Sequence, residues 1–274
     1  MTVTNAVETT MIWGTVSGAS MVGMVISLLL SVVLPIFLGI FIYKKTKAWV
    51  PAFFIGCGIF VGFAMILEQI CHAIVLTVTG SAIRDNIWLY AIYGGLAAAL
   101  FEECGRWIAM KFCLKKHLTR ENALMYGAGH GGIEAFLILG MSSMSNLLTA
   151  AMINGGLMEK TMTALEPAQQ EVTYHQLSVL WTTPAYQFYL APVERISAIA
   201  LQIALSILVY SAVKTGRKLQ LAAAFGLHFA VDFLTVICAS MIPTGALELG
   251  LLVVVAVICA AVYKLVYVHS AEKK

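Results

Sequence analysis

The sequence predicts an all-α fold: a single-domain, polytopic membrane helix bundle of about seven transmembrane helices, with the N-terminus outside and the C-terminus cytoplasmic. Three observations lead there. Of the 274 residues, 60% are hydrophobic and 11% charged, with a mean hydropathy of +0.88, whereas a soluble domain carries about 25% charged residues. That composition excludes a water-soluble enzyme. Seven stretches, about 15–42, 50–79, 88–112, 122–148, 194–213, 219–241 and 246–268, each supply the roughly 20 mostly apolar residues that a spanning helix needs. Basic residues, finally, gather at every second flank of those stretches.

Taken in order, each element has a local reason. Met1 to Thr10 lacks the basic region of a signal peptide, and the apolar stretch behind it is too long for a signal-peptide core. The first stretch is therefore expected to stay as a span, kinked or ended near Pro35. Lys44, Lys45 and Lys47 follow it, while the turn between the second and third stretches carries only Arg84. Lys111, Lys115, Lys116 and Arg120 separate the third from the fourth. A long loop at about 155–193 comes next, with Lys160 near its start, Arg195 just past its end, and the aromatics Tyr174, Trp181, Tyr186, Phe188 and Tyr189. Such a loop is expected to lie as an aromatic belt on the outer leaflet, or to gate access to a site. Lys214, Arg217 and Lys218 precede the sixth stretch, a bare Pro243-Thr244-Gly245 turn precedes the seventh, and Lys264, Lys273 and Lys274 close the chain.

Long segments without strict alternation are helices rather than barrel strands, because lipid leaves no partner for an unpaired backbone group. By the positive-inside rule the alternating basic flanks give the orientation stated above. The net charge of +3 is thus an orientation signal and no nucleic-acid footprint. The six cysteines all lie in apolar runs with no C-x-x-C pair, so neither a disulfide framework nor a zinc ribbon is expected.

Against that background the ionisable residues inside the spans demand an explanation, since a charge at the bilayer centre costs about 2.5–3.5 kcal/mol or more. They concentrate in three helices. The third stretch holds Glu102, Glu103 and Arg106; the fourth holds Tyr126, His130 and Glu134 among four glycines; the sixth holds His228 and Asp232. At about 1.5 Å per residue, Glu102 and Glu103 lie roughly 17 Å from the cytoplasmic end, His130 and Glu134 roughly 14–20 Å, and His228 and Asp232 roughly 15–21 Å. The i,i+4 spacings of Glu102 with Arg106, His130 with Glu134 and His228 with Asp232 place each pair on one helix face. One shared polar cavity, closed to lipid and open to water, satisfies all of them.

Simpler accounts exist for each part. Glu102 with Arg106 makes a self-neutralising ion pair, a lone histidine is a packing residue, and glycines permit tight helix contact. The surplus decides: Glu103, Glu134 and Asp232 need partners beyond one arginine, and such clusters perturb proton affinities as a general base requires. A second group, Glu68, Gln69 and His72, lies roughly 30 Å or more from the cytoplasmic end of its helix. It is expected to be helix-end polarity or an accessory contact rather than part of the main cavity.

These motifs resemble those of the intramembrane endopeptidase superfamily that includes the CAAX prenyl proteases with bacteriocin-processing enzymes, and the PrsW-type proteases. The pattern is most similar to the YhfC family. The residues that carry the likeness are Glu102-Glu103-x-x-Arg106, Tyr126-x-x-x-His130 with Glu134 one turn on, and His228-x-x-x-Asp232, in family order on separate helices. The shorter spacing to arginine and the tyrosine in place of phenylalanine are departures. The resemblance implies a glutamic-type endopeptidase in a bacterial cell membrane, with a membrane protein or peptide as substrate and no cofactor. Glu102 would act with His130 on a water, Glu103 and Arg106 would orient it, and His228 with Asp232 would stabilise the oxyanion. Glu134 would hold His130 in its tautomer.

Zinc is the alternative, with His130, Glu134, His228 and Asp232 as its ligands, although no H-E-x-x-H is present. Neither G-x-S-G nor G-x-G-D occurs, which speaks against serine and aspartyl intramembrane chemistry. From other classes, a proton-coupled transporter or channel uses the same buried acids and histidines, and an inactive relative would bind a partner protein instead. No inverted repeat accompanies the cluster.

Overall fold

The computed structural model describes residues 11–269. Seven helices are long and apolar enough to cross a membrane: α1 Gly18–Thr46, α2 Pro51–Thr79, α3 Ile87–Cys113, α4 Arg120–Asn154, α7 Ala185–Thr215, α8 Lys218–Ala239 and α9 Thr244–Tyr267. Two short helices, α5 Leu157–Met162 and α6 Pro167–Thr182, stand between α4 and α7. There is no strand among the described residues. The expectation about Met1 to Thr10 lies outside the described residues.

The helix ends follow from local chemistry. Ser17 caps α1 by accepting a hydrogen bond from the Ser20 amide at 3.0 Å, which satisfies one of the free donors of a helix start. Lys47 ends it in the left-handed region, φ 57°. Pro35 neither ends α1 nor breaks the assigned helix; it is buried inside it. Asn86 caps α3 and Thr119 caps α4 in the same manner as Ser17.

The long loop differs from the sequence expectation. It is largely helical, and α7 begins at Ala185, about nine residues before the predicted span. The aromatics do not all lie free on a surface. Tyr174 donates its hydroxyl to the Ile12 carbonyl at 2.6 Å, and its ring meets Trp13 edge-on at 5.5 Å. Asn154 accepts from the Val16 amide at 2.8 Å and donates to the Val16 carbonyl at 3.0 Å. Together they fasten the segment before α1 beneath α6.

Two helices form the centre. α7 is the most buried span, and α4 packs against α1, α2 and α7. Glycine makes the second arrangement possible: a side chain at Gly129 would run into the carbonyl of Phe53 on α2, and one at Gly127 into the backbone of Ile203 on α7. α3 packs on α8, and α9 on α7. Lys44, Lys45, Lys116, Arg217 and Lys218 all fall at one end of the bundle, here termed the basic face.

Candidate active site

Arg106 organises the polar core. It is fully buried, and one guanidinium nitrogen, Nη1, donates to Glu103 Oε1 at 2.5 Å while the other, Nη2, donates to Gln202 Oε1. Nη2 also lies 3.9 Å from Glu102 Oε2. One cation thus contacts two adjacent carboxylates, whose positions on successive helical residues let them face different neighbours. A buried charge pair of this kind is costly to break, because the survivor is left unpaired in a medium that cannot solvate it.

Glu102 Oε2 is the meeting point of three helices. His130 Nε2 on α4 lies 2.9 Å away, Gln202 Nε2 on α7 donates to it at 2.8 Å, and His228 Nε2 on α8 lies 4.0 Å away. Each imidazole is held from behind through its Nδ1. His228 Nδ1 is 2.8 Å from Glu103 Oε1, and His130 Nδ1 is 3.5 Å from the Tyr126 hydroxyl. Asp232 Oδ2 stands 3.5 Å from His228 Nε2. The structure therefore brings Glu102, Glu103, Arg106, His130, His228 and Asp232 into one connected cluster.

Glu134 is placed differently from the sequence expectation. Its carboxylate accepts from Gln202 Nε2 at 2.8 Å and pairs with Arg195 Nη1 at 3.2 Å, while His130 takes Tyr126 as its Nδ1 partner. Gln202 links the two acids by donating to both. Gln202 and Arg195 were not singled out by sequence reasoning as site residues. Gln202 is one amide in an otherwise apolar run, and its register opposite Glu102 is set by the α4–α7 contact.

Beside the cluster lies a cavity of about 380 Å³ whose wall includes Glu68, Glu102, Gln202, His228, Asp232 and Arg195. His130 is fully buried behind that wall. The cavity begins at the level of Glu102 and runs away from the basic face toward Arg195 and Thr235. Glu68 on this wall corrects the expectation that its group is remote from the main cavity. The cavity extends along α2 to meet it.

Seven spans around a buried acid and imidazole centre, beside a cavity of about 380 Å³, define a polytopic intramembrane protein. A family model described as YhfC intramembrane metalloprotease matches residues 30–259, and the chain belongs to that family. It is a multi-pass bacterial membrane protein. Over 222 residues it is 41% identical to a Bacillus subtilis (strain 168) protein described as "Uncharacterized membrane protein YhfC", covering 78% of this chain and 83% of that protein. No solved structure matches the chain.

The family's description overturns the expectation of no cofactor and favours the zinc alternative: a metal is implied. The sequence left zinc in second place because the short H-E-x-x-H signature is absent and the candidate donors come from separate helices. Two donors on one tetrahedral zinc, each at about 2.0–2.1 Å, lie about 3.3 Å apart. His228 Nε2 and Asp232 Oδ2 are 3.5 Å apart, close to that figure, and Glu102 Oε2 stands between the two imidazoles, 2.9 Å from His130 Nε2 and 4.0 Å from His228 Nε2. Both imidazoles also have the Nδ1 partner that metal-bound histidines use to fix ring and tautomer. Among the described residues no three such side chains stand so that they could hold a metal ion as they are placed. The residues fit a metal by donor type and orientation, with side-chain adjustment needed to close a shell around it.

Proposed function

We propose that this chain is an intramembrane endopeptidase that hydrolyses a peptide bond of a membrane-associated protein in the cavity lined by α2, α3, α4, α7, α8 and α9. The observation that carries it is Glu102. Its carboxylate reaches the cavity wall while Gln202 and Arg106 fix it from behind. A base held this way loses little orientation entropy when it meets a water.

His130, His228 and Asp232 would hold the metal, which when bound supplies a Lewis acid and a more acidic water. Glu102 takes the proton of the attacking water. Glu103 and Tyr126 keep the two imidazoles in orientation, and Arg106 supplies a counter-charge beside Glu102 and Glu103. Gln202 couples Glu102 to Glu134 and Arg195, so the far wall of the cavity is set by the same network. A cavity that lies from mid-depth outward supports cleavage at or beyond the bilayer centre relative to the basic face.

The test is proteomics of membrane fractions from cells carrying the wild-type protein, Glu102→Gln or His228→Ala. A membrane polypeptide should be cut in the first and accumulate uncut in both variants. If no peptide differs among the three at equal protein level, the hydrolase assignment fails.

A further inference from the structure

Helix α2 is π-helical over Val61–Glu68. Wider turns of this kind inside an α-helix are frequent at functional sites, because the extra residue rotates the side chains that follow. Here the wide segment ends on Glu68, which is buried at 7% exposure and lines the same cavity as Glu102, His228 and Asp232. Gln69 donates to the Ala64 carbonyl at 3.4 Å within the same segment. The backbone irregularity is thus supported locally and delivers one carboxylate to the cavity.

Glu68 differs from Glu102 and Glu103 in its partner. Those two face a guanidinium; Glu68 Oε1 lies 3.2 Å from His72 Nε2. His72 Nδ1 in turn lies 2.7 Å from the Tyr93 hydroxyl on α3. His72 and Tyr93 are both half-buried, so the row runs from the enclosed cavity to a partly open flank. Carboxyl, imidazole and phenol in hydrogen-bond contact make a path along which a proton can be passed. A stabilising ion pair alone would not need the third member.

We infer that Glu68 is a further catalytic residue, the acid that protonates the leaving amine, and that His72 and Tyr93 return a proton to it. This assignment rests on the endopeptidase function proposed above. The steps balance. Water adds its oxygen to the peptide carbonyl carbon and its proton goes to Glu102. As the C–N bond breaks, the electron pair stays on nitrogen and takes the Glu68 proton, giving a free carboxylic acid and a free amine. Glu102 then gives its proton to cavity water, and Glu68 regains one from His72 Nε2, whose Nδ1 is resupplied from Tyr93 and solvent. No net proton, oxidant or reductant is consumed.

A leaving group that needs no proton distinguishes this role from a structural one. The probes are an internally quenched apolar peptide and a p-nitrophenyl ester of the same acyl segment, assayed with purified full-length protein in lipid nanodiscs. Glu68→Gln should slow peptide cleavage about 100-fold or more, in line with general acid catalysis, and leave ester turnover within about twofold. Tyr93→Phe, a milder change that keeps Glu68 and His72, should slow the peptide several-fold and spare the ester. Equal loss on both substrates, or undiminished peptide cleavage, in variants with wild-type melting temperature overturns the assignment. If Glu68→Gln does not fold, the Tyr93→Phe ratio decides alone. Wild-type protein that turns over neither probe overturns the endopeptidase function itself, which separates the two failures.

Discussion

At the scale of single residues, the centre depends on groups that never reach the cavity. Glu103 is 1% exposed. It joins Arg106 to His228 through one oxygen, Oε1, and its Oε2 has no hydrogen-bond partner among the described residues. Replacing it by glutamine keeps the shape and weakens the hold on His228 Nδ1. Outer partners of metal-bound histidines typically carry 10–100-fold in affinity, so Glu103→Gln should lower zinc affinity by about that factor. Competition with a chromophoric chelator measures it, and unchanged affinity would remove Glu103 from this role. Arg106 has the opposite character. Its loss leaves two acids facing each other without a counter-charge, so its variants report on folding more than on chemistry.

At the scale of elements, α4 and the π-helical part of α2 explain what could and could not be read beforehand. The spans were legible because twenty apolar residues in a row have few alternatives in lipid. The trio Glu102, His130 and His228 was legible because matched depth needs only a rise per residue. Glu68, Gln202 and Arg195 were not. The facing of Glu68 turns on the π-helical register, and that of Gln202 on which side of α7 meets α4. Neither is encoded in a spacing within one helix. Glu134 shows the same limit: its i,i+4 relation to His130 is real, yet Gln202 and Arg195 compete for its carboxylate and win. The α4 contacts give a direct prediction. Gly129→Ala forces a methyl group against the Phe53 carbonyl, and overpacking of this sort costs about 1–3 kcal/mol or more. Thermal melting in detergent should show a clear drop, whereas Gly62→Ala, with open space around its Cα, should melt close to wild type.

At the scale of the whole molecule, orientation decides where a product is released. The basic face gathers the ends of α1, α3, α7 and α9, and the positive-inside rule sets such a face in the cytoplasm. A fluorescent protein fused after residue 274 should therefore glow, and alkaline phosphatase fused there should be inactive. The reverse pair of results would place the cavity mouth toward the cytoplasm instead.

The bare main-chain contact of α4 with its neighbours carries one more consequence. Side chains cushion most helix interfaces by changing rotamer, but a seam of peptide groups has no such give. Any tilt of α2 or α7 must travel undamped to the imidazole seated between them. Bilayer thickness or tension, which acts on helix tilt, would then be felt at His130 as a change of position, leaving the enzyme's pace sensitive to the lipid it sits in.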